Sequence, residues 1–417
     1  MVDRHFPVRP NLEQLRHQAK DMLRRVKQCD ATAFADPEEH HPDLIVPDHV
    51  RLADAQLALA RSYGLTSWPR LVLACKMTDA IWRDDTEAIR ALVLRNPELL
   101  HENARGVKGN WGPPMSYAAN LGRDRIIKML RDLGACDLQH AFDRACLQGK
   151  VETAQRLHAM GARPEVDAVM GPCETQSGPG LALLLELGAK ISDEHGNRLA
   201  PVALVLETYC RNPRGKHQCL ELFVENGIVL PDTPPMALHR GRIDLLENHL
   251  RRDSDLFSRT FSHQAIYPPE LGCHTDESLA LHATPLAGAT LMHLSVDYDE
   301  MEIARWLIDR EAEVNVKADV DSVGFGGHTP LFGCVVSQPF RVGRRTDEAF
   351  ASLLLDHGAD PNIRASLRKQ LRFVEDESMH EYHDVTPHKW GQQFHDQSWV
   401  NRSAMRLCVD NARHGST

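Results

Sequence analysis

The sequence predicts an all-α protein built from stacked pairs of short helices, and three observations support this fold class. Short apolar segments recur with the spacing of amphipathic helices and are separated by glycine-containing turns. Three of these glycines, Gly134, Gly161 and Gly188, follow one another at steps of 27 residues, which indicates an internal repeat. Only 6% of the 417 residues are aromatic, and short aliphatic side chains favour thin helical layers over a large β-sandwich.

Residues 1–78 differ from the rest of the chain and are predicted to form a helical N-terminal cap. The first helix should begin after an N-cap at Asn11, because apolar residues follow it at helical spacing. A later helix should begin after a cap at Thr66 or Ser67, with a proline in its first turn. A polar stretch between the helices is predicted to be a loop, since it contains Pro37, Pro42 and Pro47.

The clearest repeat unit is ATLMHLSVDYDEMEIARWLIDREAEVN, residues 289–315. It resembles the ankyrin repeat, because T-L-M-H at 290–293 stands where that family has T-P-L-H and A-E-V-N at 312–315 matches the closing G-A-D-x-N. Asp299 and Glu311 replace the two usual glycines. An aspartate tolerates the left-handed turn, whereas Glu311 predicts a distorted one.

Further units begin with PPMSYAANLGRDR at 113–125 and GHTPLFGCVV at 327–336. The resemblance implies an ankyrin-repeat solenoid of the bacterial kind with a helical leader, arranged as one stack over 79–232 and a second over 233–417. In such repeats a threonine before proline caps the first helix, and histidine at the fourth motif position bonds to the neighbouring repeat. His239 and His293 occupy this position and are therefore expected to be structural, whereas His328 precedes a T-P pair at a finger tip and is expected to be structural or to face a partner.

Two segments, 251–288 and 363–384, are too long to be turns of a repeat and are predicted to be long inserted loops. The first is too apolar for a disordered linker, so we expect it to pack against the array. The turn at 297–300, Asp-Tyr-Asp-Glu, is predicted to be solvated.

Charge and motifs exclude several classes of function. The net charge of −10 argues against nucleic-acid or anionic-membrane binding, and no apolar run is long enough to span a membrane. The ten scattered cysteines include no C-x-x-C pair, and the N-terminus lacks the apolar region of a secretory signal, so we expect a cytoplasmic protein with reduced thiols. Neither a G-x-S-x-G nor a Walker A motif is present.

The resemblance implies a cytoplasmic interaction protein that binds a protein partner through its concave face and fingers, rather than an enzyme or a cofactor-dependent protein. Binding hot spots concentrate in aromatic side chains on loops. The expected contact residues are Trp111, Tyr267, His274, Tyr298, Phe325 and Phe340. Packing of the long loops onto the array is the alternative role for Tyr267 and Trp111.

An alternative function is an enzyme, or a metal or small-molecule site, that the 251–288 loop builds on the repeat scaffold. This loop contains imidazole, thiol and carboxylate groups, which suit a divalent metal such as zinc or acid–base chemistry. Their spacing matches no regular ligand motif. The candidate metal ligands are His263, Cys273, His274 and His282.

Overall fold

The computed structural model describes residues 5–28 and 49–414, which are mostly helical. The chain divides into two compact units, Met1–Arg163 and Pro164–Thr417, and the sequence-predicted boundaries after residues 78 and 232 lie inside these units. The predicted loop around Pro37, Pro42 and Pro47 falls outside the described residues. Within the described part, none of the helices is both long and apolar enough to cross a membrane.

The first unit begins with the predicted helical cap. The Asn11 side chain accepts from the amide of Gln14 at 3.1 Å, and the Ser67 side chain accepts from that of Arg70 at 3.3 Å, which confirms both predicted N-caps. The helices of this unit are α1 Leu12–Lys27, α2 Leu52–Ser62, α3 Trp68–Trp82, α4 Thr86–Arg95, α5 Pro114–Asn120, α6 Asp124–Asp132, α7 Leu138–Leu147 and α8 Val151–Ala159, with a 3-10 turn at Pro97–Leu100.

In the second unit, consecutive short helices pack against each other as the repeat pattern predicts. Short 3-10 turns lie at Pro269–Leu271, Glu277–Leu279 and Gln397–Trp399. The helices are α9 Met170–Glu174, α10 Gly178–Glu186, α11 Ala200–Glu207, α12 Pro213–Glu225, α13 Pro234–His239, α14 Ile243–Arg252, α15 His263–Ile266, α16 Leu291–Asp297, α17 Met301–Ile308, α18 Pro330–Val335, α19 Gln338–Arg341, α20 Ala349–Asp356, α21 Pro387–Gln393 and α22 Arg402–His414.

The segment 363–384 is not an irregular loop, and the all-α prediction is wrong there. It forms an antiparallel hairpin of β1 Ala365–Gln370 and β2 Met379–Val385. Ala365, Leu367 and Lys369 alternate on the buried face of β1, the two-residue period of a half-buried strand. Because the lysine interrupts the apolar pattern on that face, the sequence did not indicate a strand here.

The three glycines that suggested the repeat all close helices in the left-handed conformation. Gly134, Gly161 and Gly188 have φ angles of 104°, 117° and 88°. Only glycine adopts such angles without a steric penalty, because any side chain would crowd the following carbonyl group. The predicted role of these glycines is confirmed.

Glu311 occupies the same kind of turn with a φ of 64°. Its amide donates to the Ile308 carbonyl at 2.9 Å, and the next amide, of Ala312, donates to Leu307 at 3.0 Å. The corresponding bonds of the turn at Gly134 are 2.9 Å each. The prediction of a distorted turn is therefore wrong, since the glutamate keeps the standard hydrogen bonds in a strained conformation.

We expect Glu311→Gly to raise the free energy of unfolding by about 0.5–1 kcal/mol, because glycine relieves a left-handed strain of about 1–2 kcal/mol at some entropic cost. Urea denaturation of both proteins measures the difference. The matched control is Glu313→Gly, which alters an exposed residue of the same segment with no left-handed angle and should destabilise. Equal losses in both variants would contradict the assignment of strain to residue 311.

Candidate functional site

The second unit contains a cleft of about 640 Å³. Three chain segments line it, namely the insertion 260–288, the segment 319–328 and the hairpin residues 367–370 with Met379. A volume of this size is typical of sites for small molecules or for a few side chains of a peptide. Both sequence-predicted insertions thus contribute to one site.

Backbone hydrogen bonds join the three segments into a preformed frame. The amide of Gly288 donates to the carbonyl of Phe261 at 2.8 Å, and that of Asp319 donates to Gly288 at 2.8 Å. The amide of Gly326 then donates to the carbonyl of Ser366 in β1 at 2.7 Å. Gly326 has a φ of 124°, and a β-carbon there would lie 1.9 Å from the Asp319 carbonyl oxygen, so only glycine fits.

The rim of the cleft combines apolar side chains with one ion pair. Val320 is 61% exposed and Met379 is 53% exposed, although both are apolar. The Arg368 guanidinium pairs with Asp321 at 2.7 Å and lies 5.3 Å from the centre of the Phe325 ring. This ion pair fixes the arginine over the aromatic ring, which leaves an ordered, partly apolar entrance.

The floor of the cleft carries a buried lysine beside a buried histidine. Lys369 is 6% exposed, and its Nζ donates to Nδ1 of His282 at 3.2 Å. Burial lowers the pKa of Lys369 to about 8, against the opposing effect of Asp297 and Glu277. Burial also holds the pKa of His282 well below its usual value, so this imidazole is neutral at pH 7.

The insertion rests on a buried ion pair beneath the cleft. Arg211 donates to the Asp297 carboxylate at 2.8 Å, and the two side chains are 1% and 4% exposed. The same guanidinium donates to the Leu281 carbonyl at 2.6 Å, next to His282 in the chain. Arg211 therefore fixes the floor residue His282 relative to α16, where Asp297 lies.

A second buried ion pair neighbours the first. Glu300 accepts from the His217 ring at 2.8 Å and pairs with the Lys216 ammonium at 3.0 Å. Lys216 Nζ also lies 4.2 Å from the centre of the Tyr298 ring. Asp299 is paired as well, to Arg345. The predicted solvated turn at 297–300 is therefore wrong, because cationic partners from distant segments let its side chains be buried.

His239 and His293, at the T-P-L-H positions, make structural hydrogen bonds as predicted, and His328, which precedes a T-P pair, takes the structural one of its two predicted roles. His293 bonds the His328 carbonyl oxygen at 2.9 Å, and His328 in turn bonds that of Pro285 at 3.0 Å. His239 bonds the carbonyl oxygen of Ile266 at 3.0 Å. Two of these bonds reach residues of the insertion, so the repeats hold it through buried imidazoles.

The sequence-predicted partner contacts do not share one surface. Tyr267 and Tyr298 are each 1% exposed and hydrogen-bond each other through their hydroxyl groups, so neither is available to a partner. Phe325 is half-buried at the cleft, and Phe340 is half-buried elsewhere in the second unit. His274 is largely exposed and pairs with Glu207 at 2.9 Å.

Trp111 belongs to the first unit, where it is half-buried. Its ring packs against Tyr117 with centres 4.9 Å apart, and the Arg144 guanidinium lies 6.0 Å from the ring centre. Trp111 and Tyr267 therefore both make packing contacts, which is the alternative role that the sequence suggested for them.

The candidate metal ligands are not brought together. His263 bonds the His274 backbone carbonyl at 2.9 Å, while the His274 imidazole is engaged by Glu207. Burial raises the pKa of the Cys273 thiol well above its ordinary value, which disfavours the thiolate that binds metals. Over residues 5–28 and 49–414, no group of three or more histidine, cysteine, aspartate or glutamate side chains is arranged to hold a metal ion.

Lys369, Arg211 and Lys216 were not among the candidates predicted from the sequence. The alternation of Ala365, Leu367 and Lys369 is the signal that would have placed the lysine on a buried face. Arg211 and Asp297 are 86 residues apart in the chain, and no local pattern marks them as partners.

We expect Asp297→Asn to lower the free energy of unfolding by about 3–5 kcal/mol, because it leaves the Arg211 charge buried without its counter-ion. Chemical denaturation followed by circular dichroism measures this loss. The control is Asp244→Asn, which breaks an exposed ion pair with Arg242 and should cost no more than about 0.5 kcal/mol. A similar small loss at both positions would refute the buried clamp.

Stability should also depend on pH through Glu300. Burial raises the pKa of Glu300, but Lys216 and His217 outweigh it and hold the pKa below the ordinary value of 4.5. The unfolded chain then takes up this proton first as the pH falls, so the stabilisation is present above pH 4.5 and is lost at lower pH.

We therefore expect Glu300→Gln, although less stable at pH 7, to lose less of its free energy of unfolding between pH 5 and pH 3 than the unmodified protein. Urea denaturation across this pH range gives the two slopes. Glu313→Gln, at an exposed position, serves as the control and should keep the original slope. Equal slopes for all three proteins would argue against the assigned pKa shift.

Comparisons with known proteins add little to this geometry. No protein family matches the chain, and no curated protein is significantly similar to it. Solved structures that match include the crystal structure of the human ASB11 ankyrin repeat domain, which is 17% identical with a TM-score of 0.24. That alignment covers 71% of this chain and 97% of the other. A similarity with so low a TM-score does not define the architecture or the function of this chain.

Proposed function

We propose that the chain is a cytoplasmic ankyrin-repeat protein that binds a protein partner, and that a segment of the partner enters the cleft. The observation that carries this proposal is the preformed cleft of about 640 Å³ with the exposed apolar residues Val320 and Met379 at its rim. Exposed apolar side chains around a concave site are typical of interaction surfaces.

The charges of the cleft indicate the character of the partner segment. Its lining contains the carboxylates of Glu277, Asp319 and Asp321, and its basic side chains are Arg368 and Lys369, the latter with a lowered pKa. A segment with an apolar side chain next to a basic or neutral one complements this lining. The frame of hydrogen bonds between the walls favours binding with little rearrangement.

The proposed location in the cytoplasm agrees with the state of the thiols. The nine cysteines within the described residues are all free, and most of them are buried. A reducing compartment keeps thiols in this form.

The test is site-specific photo-crosslinking from a benzoylphenylalanine placed at Met379, in cells of the source organism, followed by identification of the captured protein. With that partner purified, we expect Phe325→Ala to raise the dissociation constant at least tenfold, since a buried aromatic contact at an interface contributes more than about 1.4 kcal/mol.

The matched control is Val229→Ala, which shortens an apolar side chain that is 86% exposed in the same unit but does not line the cleft. Its dissociation constant should equal that of the unmodified protein. Failure to crosslink any protein, or equal affinities of the Phe325 and Val229 variants, would refute binding through the cleft.

A second candidate function is a small-molecule site at the floor of the same cleft, and one observation favours it. The 260–288 insertion supplies His282, which contacts the buried Lys369 amine inside a cavity large enough for a small ligand. Metal binding by the insertion is not part of this candidate, because the four predicted ligands do not converge.

A further inference from the structure

Lys369 occupies a position where the fold would otherwise place an apolar residue. It follows Ala365 and Leu367 on the buried face of β1, whereas its neighbour Arg368 points to the exposed face and pairs with Asp321. Its side chain lines the cleft although it is only 6% exposed. Burying an amine costs free energy, and buried lysines without a partner are uncommon. A lysine at the floor of a cavity is therefore a candidate for a chemical role.

Among the residues that the structure describes, the amine has no ion-pair partner. Within the described residues, no carboxylate oxygen lies within 4.0 Å of Lys369 Nζ, and the contact at 3.2 Å is with the neutral His282 ring. Asp297 and Glu277 favour its charged form from a greater distance, and Arg211 opposes it. His395 of the segment after α21 is a further titratable neighbour.

This balance gives the amine a larger unprotonated fraction near neutral pH than an ordinary lysine has. With a pKa of about 8, roughly a fifth of the Lys369 side chains are neutral at pH 7.4, compared with about one in a thousand for an ordinary lysine. A neutral amine is a nucleophile, and lysines desolvated in this way are the ones that form Schiff bases with carbonyl compounds.

We propose that the Lys369 amine is a covalent binding site for a small aldehyde or ketone that enters the cleft. This inference rests on the second candidate function, the small-molecule site, and does not depend on the binding of a protein partner.

The reaction requires no oxidant or reductant. The nitrogen lone pair of Lys369 forms a bond to the carbonyl carbon, and the electron pair of the C=O double bond moves to the oxygen. His282 Nδ1 accepts one proton from the nitrogen and returns it to that oxygen, which gives a carbinolamine. Loss of the second nitrogen proton and cleavage of the C–O bond then release one water molecule and leave the imine.

The test uses the full chain with acetaldehyde and sodium cyanoborohydride at pH 7.4, with peptide mapping by mass spectrometry to follow ethylation of each lysine. We expect Lys369 to react at least tenfold faster than the exposed Lys317 of the same unit. This advantage should shrink as the pH approaches 10, where ordinary exposed lysines also lose their protons. His282→Asn should slow the reaction of Lys369 severalfold and leave that of Lys317 unchanged.

Two results would overturn the proposal. One is a rate at Lys369 no greater than that at Lys317 in the folded protein, and the other is ethylation of Lys369 only after unfolding in urea. An unchanged rate in the His282 variant would overturn the part assigned to that imidazole. Partner crosslinking from Met379 is a separate readout, so the reactive amine and the partner site can fail independently.

Discussion

The buried ion pair between Arg211 and Asp297 is the interaction on which the second unit depends. The guanidinium bonds the α16 carboxylate, carbonyl groups at the α11–α12 turn and the carbonyl of Leu281 in the insertion. One side chain thus connects two helix pairs to a segment outside the repeat pattern. Removing two charges from water is expensive, and only a complete set of partners offsets that cost. The Leu281 carbonyl is one of these partners, so Arg211 helps to hold the insertion at this position.

The histidines and tyrosines extend this dependence to the cleft. His293 bonds the carbonyl oxygen of His328, and His328 bonds that of Pro285, so the two rings connect neighbouring helix pairs to the insertion. Burial lowers the pKa of both imidazoles, which are therefore neutral. Tyr267 of the insertion meets Tyr298 of the repeats through a bond between hydroxyl groups. The insertion that lines the cleft is thus attached to the repeats through buried polar side chains that hydrogen-bond across the junction.

The features predicted correctly from the sequence are those that depend on residues close together in the chain. Helix caps at Asn11 and Ser67 depend on residues within three positions, and the closing glycines depend on a single φ angle. The charge network depends on partners far along the chain, and in β1 a lysine interrupts the apolar alternation of a half-buried strand; at both places the predictions failed. Acidic residues between two helices are usually solvated, and nothing within the 297–300 segment indicates that Arg211, Lys216 and Arg345 will bury them. Likewise, aromatic residues on loops are good candidates for binding, yet Tyr267 and Tyr298 are used to attach the insertion.

The two residues that replace turn glycines differ in how freely they can change. Glu311 is exposed, and no described side chain depends on it, whereas Asp299, with a φ of 61°, is buried and bonded to Arg345. A glycine at 299 would relieve the backbone and remove the buried carboxylate that pairs with Arg345. Glycine could therefore replace Glu311 without affecting another side chain, whereas the effect of replacing Asp299 depends on the distant Arg345. Sequence changes at Asp299 and Arg345 should be tolerated together in relatives of this chain and rarely one at a time.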